Sequence, residues 1–430
     1  MNNNVMEKYE FNLPKIENSA YSPFENVVFY PILLNSFSLQ ISVKDGVAWE
    51  KDDNFGWGHF LEHANLQGTD KYESFLHIAK TAETLGARLS AFTNKDSVTY
   101  GIHAPSWSLK EAFEIMTSVI SHLNFSDEAV EEEKKIVFQE MQRDKSNFKD
   151  FASLLTENEI LSPNAISRYS LGSEDSVNAI SAEKLKSYKQ NVYCKKNMSI
   201  MLCGGFDTLL AEELTAQMLD SLPLGEERCL RSFLIGKTFE NCKYFACPSQ
   251  SSQLRMIKYF RLSGFSHEQW LTASVLNILL GVGFSCLFYQ KLRHEHKLVY
   301  TLATQMKLYS KTGLFRFIAD LNPESAKLAD ELISGTFLSL DRISESELNL
   351  AKNKYWGDIA LKLSDTNQLG NFVSRRFFLD GEIIHLSDIY RSLKSMTLSD
   401  IVEFVKNNFK ESDIITAFCG SEESLKIVKV

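Results

Sequence analysis

The run His59-Phe60-Leu61-Glu62-His63 gathers the residue types from which metal-assisted hydrolysis is built. On a helix, His59 and His63 stand four residues apart and present both imidazoles on one face. Two imidazoles and one carboxylate suit Zn²⁺ and leave a fourth position for water. Glu62, three residues beyond His59, is placed to take a proton from that water. The competing reading is a pair of solvated histidines on a polar helix face. The seven cysteines bear on the ligand choice. Cys194 is the first of them and none forms a C-x-x-C pair, so a metal site in the first half must rest on histidine and carboxylate. Their odd number and scattered placement fit a reduced, cytoplasmic protein better than a disulfide framework.

The elements that must position these groups follow a repeated order. From Phe37 to Val43 apolar and polar residues alternate, which predicts a half-buried strand. Trp57 to His63 opens a helix that breaks at Gly68-Thr69. Phe75 to Leu85 predicts a second helix with Gly86 as its stop, and Leu89 to His103 reads as strand around the turn residues Asn94-Lys95-Asp96. Helices follow over Leu109 to Leu123 and Asp127 to Asp144, the latter capped by Ser126 with Glu128 and Glu131 near its start. Met198 to Cys203 is a short strand ending at Gly204-Gly205. The second half reads similarly: strand over Gln253 to Leu262, helix over Leu271 to Leu280, and a hairpin of Val299 to Lys307 with Leu314 to Asp320. A helix capped by Ser344 then covers Glu345 to Leu363, and a strand covers Ile414 to Cys419. The strand ends Cys203-Gly204 and Cys419-Gly420 are separated by close to half of the chain. The expectation is an α+β chain of two homologous domains, residues 1–223 and 244–430 joined by about 224–243, each a mostly antiparallel sheet with helices packed on it.

The H-x-x-E-H run resembles the inverted zinc motif of the pitrilysin-type metallopeptidases, the family of insulin-degrading enzyme and the mitochondrial processing peptidase. Its neighbourhood is similar too: Gly46, Glu50, Gly56 and Gly58 precede it and Gly68-Thr69 follow. In that family a third ligand, a Glu, lies on a helix at a characteristic distance beyond the motif, with another Glu two helical turns before it. Glu140 and Glu133 stand at those positions, and the separation of Glu140 from His63 is the family's. The resemblance therefore implies a zinc ion held by His59, His63 and Glu140, with Glu133 supporting it and Glu62 as general base. It further implies that Arg293 and Tyr300, seven positions apart after the Gly281-Val282-Gly283 loop, hold the substrate carbonyl. Without the resemblance these residues read as an acidic helix face, a salt-bridging Arg and a buried Tyr. Ser90-Ala91-Phe92-Thr93 match the substrate-binding edge strand, with Ser90 in place of the usual Asn. The segment after Gly283 lacks the usual Arg, and Cys286 there reads as a packing residue. His294 and His296 read as surface residues.

The same half-chain offset sets Val275, Ile278, Leu279 and Trp356 opposite His59, Glu62, His63 and Glu140, so one copy carries ligands and the other is packed. Family members enclose the site in a chamber built from two such pairs of domains. This length supplies one pair, which implies a homodimer or a heterodimer with a related subunit, acting on a peptide substrate. A non-catalytic assembly subunit is the contrasting class. The composition is ordinary for a globular protein, and 46 Lys+Arg against 55 Asp+Glu, net −9, argues against a nucleic-acid partner. Residues 1–8 carry no apolar signal core. The uncharged stretch Thr272 to Tyr289 has two mid-segment glycines and reads as a buried helix and turn rather than a membrane span.

Overall fold

A computed structural model describes residues 20–122, 124–230, 243–248, 253–262, 267–310, 312–338, 340, 343–410 and 414–428. The reading of residues 1–8, and residues 231–242 of the expected connection, lie outside them. Among the described residues, ten strands form two five-stranded sheets. The first contains β1 (Val27–Pro31), β2 (Ser36–Val43), β3 (Arg88–Thr93), β4 (Val98–Pro105) and β5 (Met198–Gly204), in the order β1-β5-β2-β4-β3. The second contains β6 (Lys243–Pro248), β7 (Leu254–Leu262), β8 (Val299–Tyr309), β9 (Thr312–Leu321) and β10 (Ile414–Gly420), in the order β6-β10-β7-β9-β8. In each sheet one outer pair, β1 with β5 and β6 with β10, is parallel and every other pair is antiparallel. The two copies thus share one topology, and β5 and β10, equal in length, keep the offset of the two Cys-Gly pairs at both ends.

Eight helices matter for the site. They are α1 (Trp57–Leu66), α2 (Phe75–Thr84), α3 (Leu109–Ser121), α4 (Asp127–Ser146), α5 (Phe148–Leu161), α6 (His267–Gly281), α7 (Glu345–Lys362) and α8 (Thr366–Asp380). Local chemistry sets their ends. Ser126 accepts the Ala129 amide to cap α4, and Ser344 forms a reciprocal capping box with Glu347 on α7. Gly86, at φ +72°, turns the chain out of α2. The helices expected opposite the ligand helices are α6 and α7. There Val275, Ile278, Leu279 and Trp356 are all buried in the second core, so the positions that hold His59, Glu62, His63 and Glu140 in one copy are packing positions in the other.

The alternation in β2 has a different cause from the one expected. Phe37, Leu39, Ile41 and Val43 join the first core with Phe60, Leu61 and Phe113, each such side chain contributing about 1.5–3 kcal/mol. Ser38, Gln40 and Ser42 are buried as well, so the strand is covered on both faces. The covering element is α8, from the second half of the sequence. Gln40 Nε2 reaches Asn367 Oδ1 at 3.5 Å, Ser36 Oγ meets Thr366 Oγ1 at 3.0 Å, and Thr366 Oγ1 lies 2.9 Å from His103 Nε2. A Cβ at Gly370 would stand 3.0 Å from the Ser38 side chain, so α8 lies close on the strand. The exchange is reciprocal. Helix α5, from the first half, lies on the second sheet and packs Ala152, Ile160 and Leu161 against Ile257, Ile415 and Ala417. Glu157 of α5 accepts from Tyr259, Lys307 and Tyr309 of that sheet. Asp96, in the β3–β4 turn, takes the Ser310 amide at 2.8 Å and the Arg375 guanidinium at 2.9 Å.

Beyond α3, His122 is buried edge-on to Phe125, and neither ring nitrogen has a hydrogen-bond partner. Burial, with the nearby Lys189 amine, holds its pKa down to about 3. The unfolded chain takes up a proton near pH 6.5 that the folded chain refuses, so this site favours folding fully above about pH 6.5 and progressively less as pH falls toward 3. The melting temperature of His122→Leu is therefore expected to fall less steeply than that of the wild type between pH 6.5 and 4. Parallel slopes would refute this. Among the described residues, no helix is long and apolar enough to cross a membrane.

Candidate active site

The site is built where α1 crosses α4. Helix α1 starts at Gly56, which adopts φ +88° and lies so close to Gly172 that a Cβ would stand 2.3 Å from the Gly172 Cα. Gly56 offers no side-chain cap, and Glu50 substitutes for it. Its two carboxylate oxygens accept the amides of Gly56 at 2.6 Å and Gly58 at 2.7 Å, donors that a helix start otherwise leaves unpaired. One turn of α1 then brings His59 and His63 to the same face, their ring centroids 4.7 Å apart.

Glu140 arrives from α4. Its Oε2 lies 3.6 Å from His59 Nε2 and 3.4 Å from His63 Nε2, and the three ligand atoms all fall within 4.8 Å of one another. Bonds of about 2.0–2.1 Å at tetrahedral angles place ligand atoms roughly 3.3–3.4 Å apart, so these separations fit a zinc ion with little adjustment. Two turns before Glu140, the buried Glu133 sits 2.7 Å from His63 Nδ1 and accepts from Gln67 Nε2 at 2.6 Å. A carboxylate there favours the proton on Nδ1 and leaves the Nε2 lone pair facing Glu140, the arrangement a metal-binding imidazole needs. The other Glu140 oxygen lies 3.5 Å from Arg143 Nη2.

The electrostatics separate the roles. Burial, together with His63 and Arg143, holds His59 down to about 3, so its ring is neutral. Burial also opposes protonation of His63, but the hydrogen bond and charge of Glu133, with Glu140 and Glu62, outweigh it and raise the pKa. Burial and the Glu140 carboxylate raise Glu62, against the Thr93 hydrogen bond and the His63 charge. A carboxylate raised toward neutrality is a stronger base.

The four edge-strand residues have different surroundings. Strand β3 is an outer strand of the first sheet, with Ser90 and Phe92 exposed. Thr93 donates its hydroxyl to Glu62 Oε2, so it orients that carboxylate. Ser90 and Ala91 line a cavity of about 570 Å³ that also touches Glu62, His63, Leu66 and Phe75. The structure does not join Arg293 and Tyr300 to this cluster by any hydrogen bond among the described residues. Arg293, in a π-helical turn over Tyr289–Glu295, donates to Val299 O at 2.9 Å. Tyr300 is 49% exposed at a register shift of β8 and donates to Asn322 Oδ1 at 3.1 Å. His294 and His296 are exposed, and Cys286 is buried with its thiol pKa raised by that burial. Sequence reasoning missed the Thr93 contact, Gln67 and the cap by Glu50. A Glu ahead of a Gly-x-Gly helix start was the one available signal for the last.

The family description "Insulinase (Peptidase family M16)" matches residues 35–170, and "Peptidase M16 inactive domain" matches 179–355. The chain belongs to peptidase family M16. Its first M16 match contains His59, Glu62, His63, Glu133 and Glu140, and the second contains the apolar Val275, Ile278 and Leu279. This M16 chain is 20% identical over 411 residues to an uncharacterized zinc protease of Rickettsia bellii, covering 94% of this chain and 96% of that protein. It is 20% identical over 396 residues to the mitochondrial-processing peptidase subunit beta of Caenorhabditis elegans, covering 90% and 85%. Its fold matches a protease from Helicobacter pylori with TM-score 0.83, at 19% identity over 91% of this chain and 96% of that one. The peptidase M16 inactive domain from Pseudomonas fluorescens matches with TM-score 0.82, at 20% identity over 94% and 98%.

Proposed function

We propose that this chain is a zinc-dependent endopeptidase that hydrolyses unfolded peptides or the leader and precursor segments of proteins. The observation that carries the reading is the convergence of His59, His63 and Glu140 at zinc-ligand spacing, with the Glu62 carboxylate on the same helix and anchored by Thr93. A zinc ion held by those three residues would supply Lewis-acid polarisation of a water and of the scissile carbonyl. Glu62 then takes the proton of the attacking water and delivers it to the leaving amine. Glu133 holds His63 in one tautomer while this proceeds. The substrate adds to the open side of β3 as a further strand, which favours extended chains over folded ones, and one of its side chains enters the cavity beside Glu62 and Phe75.

A second reading concerns assembly. Arg293 and Tyr300 bond within their own half, and two exposed donors suited to a carbonyl oxygen fit a role that is completed by a partner. The partner is a second copy or a related subunit, and relatives carrying the words "subunit beta" in their names favour the latter. The test is zinc content and cleavage of an unfolded peptide by the purified chain, alone and after mixing with a related M16 subunit. One zinc per chain with cleavage by the chain alone supports the enzyme acting by itself. Zinc with cleavage only after mixing supports the heterodimer, and a chain that binds no zinc removes the enzyme reading.

A further inference from the structure

The cap on α1 brings a problem into the core. Glu50 is 2% exposed, and Asp45, at 0%, crowds the same space. A Cβ at Gly58 would stand 2.9 Å from Asp45 Oδ1 and 2.9 Å from Glu50 Oε1, so the two carboxylates converge on the residue immediately before His59. Two buried carboxylates at one place are costly without a cation, and one of them is driven to take up a proton. Burial and the Asp45 charge do push Glu50 up to about 8, against the Gly56 and Gly58 amides and Arg228.

The cation comes from the connection between the halves. Arg228 Nη1 donates to Asp45 Oδ1 at 3.1 Å and to Lys44 O at 2.9 Å, and its Nη2 donates to Trp49 O at 3.0 Å. Its guanidinium therefore closes the Lys44–Trp49 loop and sets positive charge beside the carboxylate pair. Tyr188, from the helix Ala182–Val192, adds its hydroxyl to Asp45 Oδ1.

We propose that Glu50 and Arg228 are positioning residues for the metal site: the Glu50 side chain fixes where α1 begins by accepting the Gly56 and Gly58 amides, and the Arg228 guanidinium offsets the charge of Asp45 beside it. The inference rests on the zinc reading given above. Its reasoning is geometric. Gly56 gives the first turn of α1 no side-chain cap of its own, and His59 lies inside that turn, whereas His63 lies one turn deeper. If the start of the helix frays, His59 loses its alignment on Glu140 first. A weakened cap should thus be felt as lost metal affinity before it is felt as lost fold.

The test compares Arg228→Met, Glu50→Gln and the double variant Arg228→Met/Asp45→Asn. Zinc affinity is read by competition with a chelator, and hydrogen exchange of the α1 amides is read on zinc-free protein. Arg228→Met and Glu50→Gln are expected to bind zinc about 10–100-fold more weakly, the range for loss of a supporting contact at a metal site. Exchange should quicken at Trp57 to Phe60 and not at Glu62 to Leu66. Asp45→Asn removes one of the two competing charges while keeping an acceptor for Tyr188, so the double variant should recover most of the affinity. A purely structural role for Arg228, holding Lys44 O and Trp49 O, would not be rescued in this way. If Arg228→Met does not fold, Glu50→Gln, which keeps the size of the side chain, carries the comparison. Variants within twofold of wild-type affinity with unchanged exchange, or a double variant with no recovery, overturn the proposal. Wild-type protein that binds no zinc, yet shows first-turn protection dependent on Glu50, overturns the zinc reading alone.

Discussion

Glu62→Gln is expected to lower peptide hydrolysis by about 10²–10⁴-fold, the usual contribution of a general base, while one zinc per chain remains bound. The replacement keeps the side-chain volume and can still present a carbonyl oxygen to the Thr93 hydroxyl, so α1 and β3 should keep their contact. What it removes is the capacity to accept a proton from water. Glu62 does not belong to the ligand triad of His59, His63 and Glu140, so metal content should be spared. Parallel measurement of zinc stoichiometry and turnover decides the matter. A variant that keeps its turnover shows that the proton goes elsewhere. A variant that loses its zinc shows that Glu62 holds the metal or the helix rather than the proton. Thr93→Val offers a milder companion, since it frees the carboxylate without removing it.

The parts of this site that were legible from sequence are those in which one regular element fixes the geometry. His59, Glu62 and His63 lie on one helix, where spacing determines facing. Glu133 and Glu140 lie on another, two turns apart, and both face α1. The repeated element order was legible for the same reason, because strand and helix periods survive after sequence identity has faded. What could not be read depends on which elements meet. Ser38, Gln40 and Ser42 have the pattern of a solvated face, and only the arrival of α8 from the far half of the chain makes that face an interior. Nothing local in β2 distinguishes the two. The pairing of Arg228 with Asp45 is of the same kind, as is that of Thr93 with Glu62. The placement of Arg293 and Tyr300 was likewise beyond reach, since the interval between them spans a π-helical turn and a strand with a register shift.

The helix exchange has consequences for the metal site. Glu140 stands near the end of α4, which runs through Asn147 into α5, and α5 is fastened to the second sheet through Glu157 and its apolar face. The second half therefore anchors the segment that brings Glu140 to His59 and His63. The half with ligands is in turn roofed by α8 of the other. The second copy buries the apolar Val275, Ile278, Leu279 and Trp356 at the corresponding positions, yet its sheet still fastens the helix that follows Glu140.

The halves produced separately, residues 1–223 and 224–430, are accordingly expected not to fold on their own. Without α8 the first half exposes the β2 and β5 face and leaves the buried Asp96 without the Arg375 guanidinium and the Ser310 donors. Stripping a buried charge of its partner costs about 3–5 kcal/mol. Without α5 the second half uncovers Ile257 and Ile415, each worth roughly 1.5–3 kcal/mol of burial, together with the smaller Ala417. Each of these losses on its own is a large share of the ~5–15 kcal/mol that a domain has in total. Each half alone should therefore show broad, non-cooperative thermal unfolding and bind a hydrophobic dye. Co-expression of the two should recover a sharp transition and, in the first half, zinc binding. Either half unfolding cooperatively by itself would show that the exchanged helices are accessories. As a check within the intact chain, Gly370→Leu drives a side chain into Ser38 at a point where even a Cβ would stand at 3.0 Å. It should lower zinc affinity as well as melting temperature, because lifting α8 loosens the sheet on which α1 rests.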